Sequence, residues 1–252
     1  MSMSFIRAVA LCAAVVGAPA LAQEKAAVKP GFSYPRDHPI RILVFRPDVR
    51  TGSQSAGGAI TPQAEWTRDA RNNIATALTA AHPGGAAEVV FLPEAEGETA
   101  AVLADYRALF GAVADTVLQH RLFKGDRLPT KKTGFEYTVG PGIAKLATLA
   151  GGGDYALFVA TNDNYGSTGR KLLQLAAVLA STAAGGFGPT VTSGQHTGYA
   201  GLIDLKSGDL IWMNADARMG GDVRAADGAT KRVAQLLEDF PVQPAATDGA
   251  RP

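Results

Sequence analysis

Cysteine is nearly absent: Cys12 is the only one in 252 residues. It lies inside the apolar run Ala8 to Leu21, behind the bulky Leu11, where a lipid-attachment cysteine would need a small residue before it. If that run is removed, the remaining chain has no thiol. That excludes disulfides, thiolate metal sites and a cysteine nucleophile together. Charge of one sign is also lacking. The chain has 24 basic and 23 acidic residues, a net charge of +1, and no basic field to gather nucleic acid or anionic lipid. No phosphate-binding glycine loop, dinucleotide fingerprint, His-Glu-x-x-His helix or Gly-x-Ser-x-Gly turn occurs, so no cofactor is expected from motif. Of the four histidines, His38, His82, His120 and His196, none has a second histidine or a carboxylate at ligand spacing. All four therefore read as surface or loop residues, and no metal site or catalytic residue is assigned.

What is present begins with an export signal. Arg7 is the only charge before Glu24, a short apolar run follows, and Ala20-Leu21-Ala22 ends in the small residues signal peptidase requires. Residues 1–22 therefore read as a signal peptide cleaved near Ala22, which places the protein in the periplasm or outside the cell. Residues 23–38 read as a linker, 39–241 as a single α/β domain and 242–252 as a disordered tail.

Inside the domain, strands and helices alternate. Residues 41–45 and 88–92 are short apolar strands, and 155–160 is apolar on both faces, as a central covered strand should be. Pro62 opens one amphipathic helix, with Trp66, Ala70, Ile74, Ala77, Leu78 and Ala81 on a face. A second helix over 98–120 carries Leu103, Tyr106, Phe110, Val113 and Val117, and Pro141 starts a short third helix. Residues 199–205 and 210–215 predict a hairpin, and Ala229, Val233, Leu236 and Leu237 a final helix. The fold class is thus α/β: a mixed sheet in two or three layers with helical cover, ending in a β-hairpin and a C-terminal helix. The hairpin turn is the most distinctive motif. Asp204 and Ser207 bond turn amides, Gly208 supplies positive φ, and Trp212 packs on the pleat.

The candidate ligand site is the segment Thr161 to Ser167 after the central strand, above all Asn162, Asp163, Asn164 and Ser167. It is joined by Asp48 and Arg50 from the glycine- and serine-rich loop of residues 48–61. In open α/β sheets ligands bind beyond the carboxyl ends of strands, and Asn and Asp oxygens suit a cation or polar ligand. A polar turn, with Ser167 capping the next helix, accounts for the same residues. A Ser167, His196, Asp204 triad has no support beyond residue type.

Residues 172–188 are nearly uncharged after Arg170-Lys171. A buried or half-buried helix is the first reading; a membrane-inserting segment is the alternative, as is entry of the 122–139 loop into the bilayer.

The Asp-ended strand, the Lys-Ser-Gly turn of residues 206–208, the Trp212 strand and the last amphipathic helix resemble the periplasmic α/β domain of Gram-negative envelope proteins. These are the curli-secretion channel subunit CsgG, the TolB amino-terminal domain and related lipoproteins. The segment Asp154 to Val159 is similar to their central strand. The resemblance implies a binding or assembly role, with envelope proteins or copies of itself as partners, rather than catalysis. The alternatives are an envelope hydrolase using residues 161–167 with Asp48 or His196, and a membrane-inserting oligomer.

Overall fold

The computed structural model describes residues 24–122, 128, 134–183, 192 and 194–244. The expected signal peptide, most of the 122–139 loop and the last eight residues of the expected tail lie outside them.

The sheet is built around one long strand. β6 (Tyr155–Gly166) is buried at each of its first five positions, because both edges are paired and both faces covered. On one edge it pairs antiparallel with β7 (Gly194–Asp204), from Tyr155 opposite Asp204 to Tyr165 opposite Gly194. On the other edge two strands follow each other: β2 (Arg41–Val44) beside residues 155–157, then β3 (Asp48–Gln54) beside 160–166, both parallel. Pro47, which has no amide hydrogen to give a ladder, falls at the break between them. β3 returns through the short antiparallel β4 (Ile60–Pro62). Beyond β2 lies β5 (Glu88–Phe91), parallel to it. β8 (Leu210–Asp216) pairs antiparallel with β7, and β1 (Glu24–Val28) with β8. The main order is β1-β8-β7-β6-β2-β5.

Helices cover both faces, so the molecule has three layers. α1 (Ala64–Ala81) and α5 (Ala226–Leu236) bury Ile74, Leu78, Val233 and Leu236 against Ile42, Leu157, Leu202 and Trp212. α2 (Gly97–Val117) and the short α3 (Ala144–Leu149) bury Leu103, Phe110, Val117 and Leu146 against Leu43, Phe158, Ile203 and Met213. On that second face Phe158 stacks on Phe45 with centroids 5.2 Å apart, and Phe110 lies 5.3 Å from it. The α/β class, the mixed sheet and the closing hairpin and helix are as the residue pattern predicts.

Several local expectations are corrected. The expected linker contains β1, whose register runs from Glu24 opposite Asp216 to Val28 opposite Trp212. The expected tail does not begin at 242. Gln243 is buried; its Nε2 donates to the carbonyls of Pro35 and His38, both at 3.0 Å, and its Oε1 accepts from the Ile40 amide at 3.3 Å. A single glutamine satisfying three backbone groups leaves no periodicity to read. The expected long loop of residues 48–61 is the β3–β4 hairpin, and the expected turn of residues 161–166 is the far half of β6. Polar residues form strands there because neighbours pair with both edges of β6. α1 starts at Ala64, two residues after Pro62.

The largest correction concerns α4 (Thr168–Ala183). It is half-buried along one side only, and its large apolar side chains are the exposed ones. Leu172, Leu173, Leu175, Val178 and Leu179 are 43–62% exposed, and only Gln174, Ala177 and Ser181 along the middle of the helix are half-buried. Residues 184–188 of the expected segment lie outside the described residues.

The β7–β8 turn is tightly specified. Asp204 Oδ1 accepts from the amides of Lys206 and Ser207 at 2.8 Å each, and Ser207 Oγ accepts from the Asp209 amide at 3.2 Å. Gly208 has φ of 77°, and its carbonyl accepts from the Val139 amide at 2.8 Å. A Cβ there would lie 2.1 Å from the Gly140 carbonyl oxygen. Gly208→Ala is therefore expected to lower stability by about 1–3 kcal/mol from backbone strain alone, with the clash added. Urea unfolding should show this as a lower midpoint at unchanged slope.

Candidate functional site

The structure divides the predicted site residues between the two faces of β6. Successive side chains along a strand point to opposite faces, so Asn162 and Asp163 part company.

Asn162 lies with Asp48 and Arg50 at a cavity of about 360 Å³ on the α2 side of the sheet. Register explains the grouping. Arg50 pairs with Asn162, and Asn162 with Thr197; Asp48 pairs with Ala160, and Ala160 with Tyr199. Arg50 Nη2 donates to Asp48 Oδ2 at 3.1 Å. Asp115 from α2 and Asp216 from the end of β8 add a second and a third carboxylate, and Tyr199 an aromatic wall. Burial raises the Tyr199 hydroxyl above its ordinary value, and the nearby Asp115 and Asp48 charges raise it further, since a second negative charge is unwelcome beside them. Asn164 lies farther along the same face, buried, with its Nδ2 donating to Asn162 Oδ1 at 3.4 Å. The wall offers donors and acceptors for a polar ligand. It contains no histidine, lysine or serine; its hydroxyls are those of Thr161, Thr197 and Tyr199.

Asp163 is on the opposite face and fully buried. Arg232 from α5, also fully buried, holds it with two parallel bonds, Nη1 to Oδ2 at 2.9 Å and Nη2 to Oδ1 at 2.8 Å. His196, its register partner on β7, places Nδ1 2.8 Å from the same Oδ1. This corrects the reading of His196 as an unpaired surface or loop residue: its carboxylate comes from another strand, not from sequence spacing. Arg232 also donates to the carbonyls of Gly220 and Gly221, both at 3.0 Å, and the Met219 amide donates to the His196 carbonyl at 2.9 Å. One buried ion pair thus joins β6, β7, α5 and the 217–225 loop.

The aromatic cluster beside it is likewise self-contained. His196 lies 4.9 Å from the Tyr165 ring, and the Arg224 guanidinium lies 3.7 Å above Tyr165 and 4.6 Å from Trp66. Arg224 also grips Asp222 with two bonds of 2.9 and 2.6 Å, which lowers the Asp222 carboxyl to about 2. Burial, then the Asp163 charge, raises the Tyr165 hydroxyl.

Ser167 does neither job. Its Oγ accepts from the Arg170 amide at 3.3 Å, at the first turn of α4. Asp204 is committed to the hairpin turn. It pairs with Tyr155 whereas His196 pairs with Asp163, so eight strand residues, about 26 Å, separate them. A Ser167, His196, Asp204 triad is therefore not assembled. Among the described residues no group of three or more His, Cys, Asp or Glu is placed to hold a metal ion.

Asp115, Tyr199 and Arg232 escaped sequence reading. Asp115 and Tyr199 sit among apolar core positions. Arg232 lies next to Val233 in a helix whose charges all look solvent-facing, and only its complete burial distinguishes it.

No family model matches the chain, and no curated protein matches it. Among solved structures it is similar to a PelC dodecamer from Paraburkholderia phytofirmans. That match has 15% identity and a TM-score of 0.39, over 88% of this chain and 98% of that one. A leucine-to-methionine variant of the same protein gives 13% identity and a TM-score of 0.36, over 88% and 100%. Likeness at this level establishes neither a family nor a fold, and the expected kinship with CsgG and TolB domains is matched by no family model.

Proposed function

We propose that the chain is an exported, non-catalytic binding or assembly component of the cell envelope, and that α4 is its docking element. The observation that carries this is the apolar arc of α4. Four leucines and a valine on one 16-residue helix stand 43–62% exposed. Burying an exposed leucine or valine side chain is worth about 1.5–3 kcal/mol, and a contiguous apolar patch of this kind marks an interaction surface. The signal-peptide pattern of residues 1–22 supports export. The non-catalytic part is supported by the occupation of the most reactive-looking groups. Asp163 is saturated by Arg232 and His196, and Ser167 caps a helix.

The cavity beside Asp48, Arg50 and Asn162 is the place for a small polar ligand in this reading. It has one guanidinium, three carboxylates from Asp48, Asp115 and Asp216, and an amide within one wall.

Fractionation of cells carrying Leu172→Glu/Leu179→Glu tests the docking role. The unchanged protein is expected in the envelope pellet, and the double variant in osmotic-shock fluid with the same circular dichroism spectrum. Recovery of both proteins in the shock fluid in equal amount removes the role from α4.

A further inference from the structure

Resting on the docking role proposed for α4, we infer that the surface it meets is an anionic lipid bilayer, which α4 enters lying in the plane of the headgroups.

Three observations carry this. First, the geometry is one-sided in the required sense. An interfacial helix ordinarily needs a strongly polar face turned to water, opposite its apolar face. In α4 the half-buried residues Gln174, Ala177 and Ser181 occupy that side, and the domain itself covers them. The apolar arc of Leu172, Leu175, Val178 and Leu179 is left pointing outward.

Second, the charge is of one sign. No Asp or Glu occurs between Asp163 and Asp204, while Arg170 and Lys171 open the helix. Arg170 is positioned by bonds from Nε to the Thr192 carbonyl at 2.7 Å and from Nη1 to the Ser55 carbonyl at 3.3 Å. Lys171 is exposed, on a stem long enough to reach a phosphate above an embedded helix. Basic residues at this place attract an anionic leaflet. A second copy of the same patch offers them no carboxylate at all.

Third, the length is wrong for spanning and right for lying flat. Sixteen residues give about 24 Å of helix, less than the ~30 Å hydrocarbon core. Among the described residues no helix is long and apolar enough to cross a membrane.

Co-flotation of the purified mature chain with vesicles tests the inference. One set is phosphatidylcholine alone; the other is phosphatidylcholine and phosphatidylglycerol in roughly equal parts. The protein is expected to float with the anionic vesicles and to be released by high salt. Lys171→Glu should weaken binding about fivefold, and Leu172→Glu/Leu179→Glu roughly tenfold or more, with unchanged thermal midpoints. A protein that stays at the bottom with both vesicle sets, yet forms oligomers by light scattering that the leucine variant abolishes, overturns the lipid assignment and leaves the docking role standing with a second copy as partner. A protein that neither floats nor oligomerises, and is absent from the envelope pellet, overturns both.

Discussion

Arg232→Met should cost about 3–5 kcal/mol, the largest loss expected from one substitution away from the hydrophobic core. The guanidinium and the Asp163 carboxylate are both fully buried and share two short bonds. Removing only the cation leaves a carboxylate in a low-dielectric site, with His196 as its remaining side-chain partner, and the uncompensated charge is what makes such a cut severe. The carbonyls of Gly220 and Gly221 lose their donor as well, so the 217–225 loop should loosen together with the core. For a domain of this size the thermal midpoint should fall on the order of 10 °C. The double variant Asp163→Asn/Arg232→Met should be less destabilised than Arg232→Met alone, because the neutral amide removes the stranded charge. Thermal and urea unfolding of the two variants decide the matter. A loss below about 1 kcal/mol for Arg232→Met would show that water reaches Asp163 and that the pair is not buried in solution.

Trp212→Ala should be comparably damaging, at about 3–5 kcal/mol. The indole is fully buried beneath α5, with its ring edge-on to Phe240 at 5.0 Å. It joins the cluster holding Ile42, Leu157, Leu202 and Leu236. Truncation opens a cavity that β8 and α5, pinned at both ends, cannot collapse to fill. Trp212→Phe sharpens the test. Among the described residues the indole Nε1–H has no hydrogen-bond partner, so phenylalanine gives up some volume but also removes a buried unsatisfied donor. Its cost should stay under about 1.5 kcal/mol. Equal losses for the two substitutions would mean that the N–H is bonded in solution, to a buried water for instance.

Two of these tests bear on function from opposite sides. The Arg232 and Trp212 variants address the frame that fixes the β6 strand and the edge of the polar cavity. The α4 variants leave that frame intact, because Leu172 and Leu179 are the least buried of its large apolar side chains, at 62% each. An envelope-binding defect in the α4 variants without a stability defect, and the reverse in the Arg232 variant, would separate docking from folding.

The sequence alone determined the elements whose signal is periodic and local. The stripe of Leu103, Tyr106, Phe110, Val113 and Val117, the doubly apolar run of residues 155–160 and the Asp204-to-Trp212 hairpin follow from side-chain spacing and turn chemistry, which neighbours along the chain set by themselves. Tertiary structure decided the rest, because what matters there is which distant groups pair. Polar residues 161–166 are strand only because β3 and β7 flank them. Asp163 and Asn162 serve different faces through strand alternation. His196 acquires its carboxylate across a ladder, and Arg232 is buried because a carboxylate 69 positions away awaits it. The apolar run from Leu172 reads the same whether it is core or surface. Hydrophobicity records only that a side chain will avoid water, and the fold settles whether the protein itself supplies the cover.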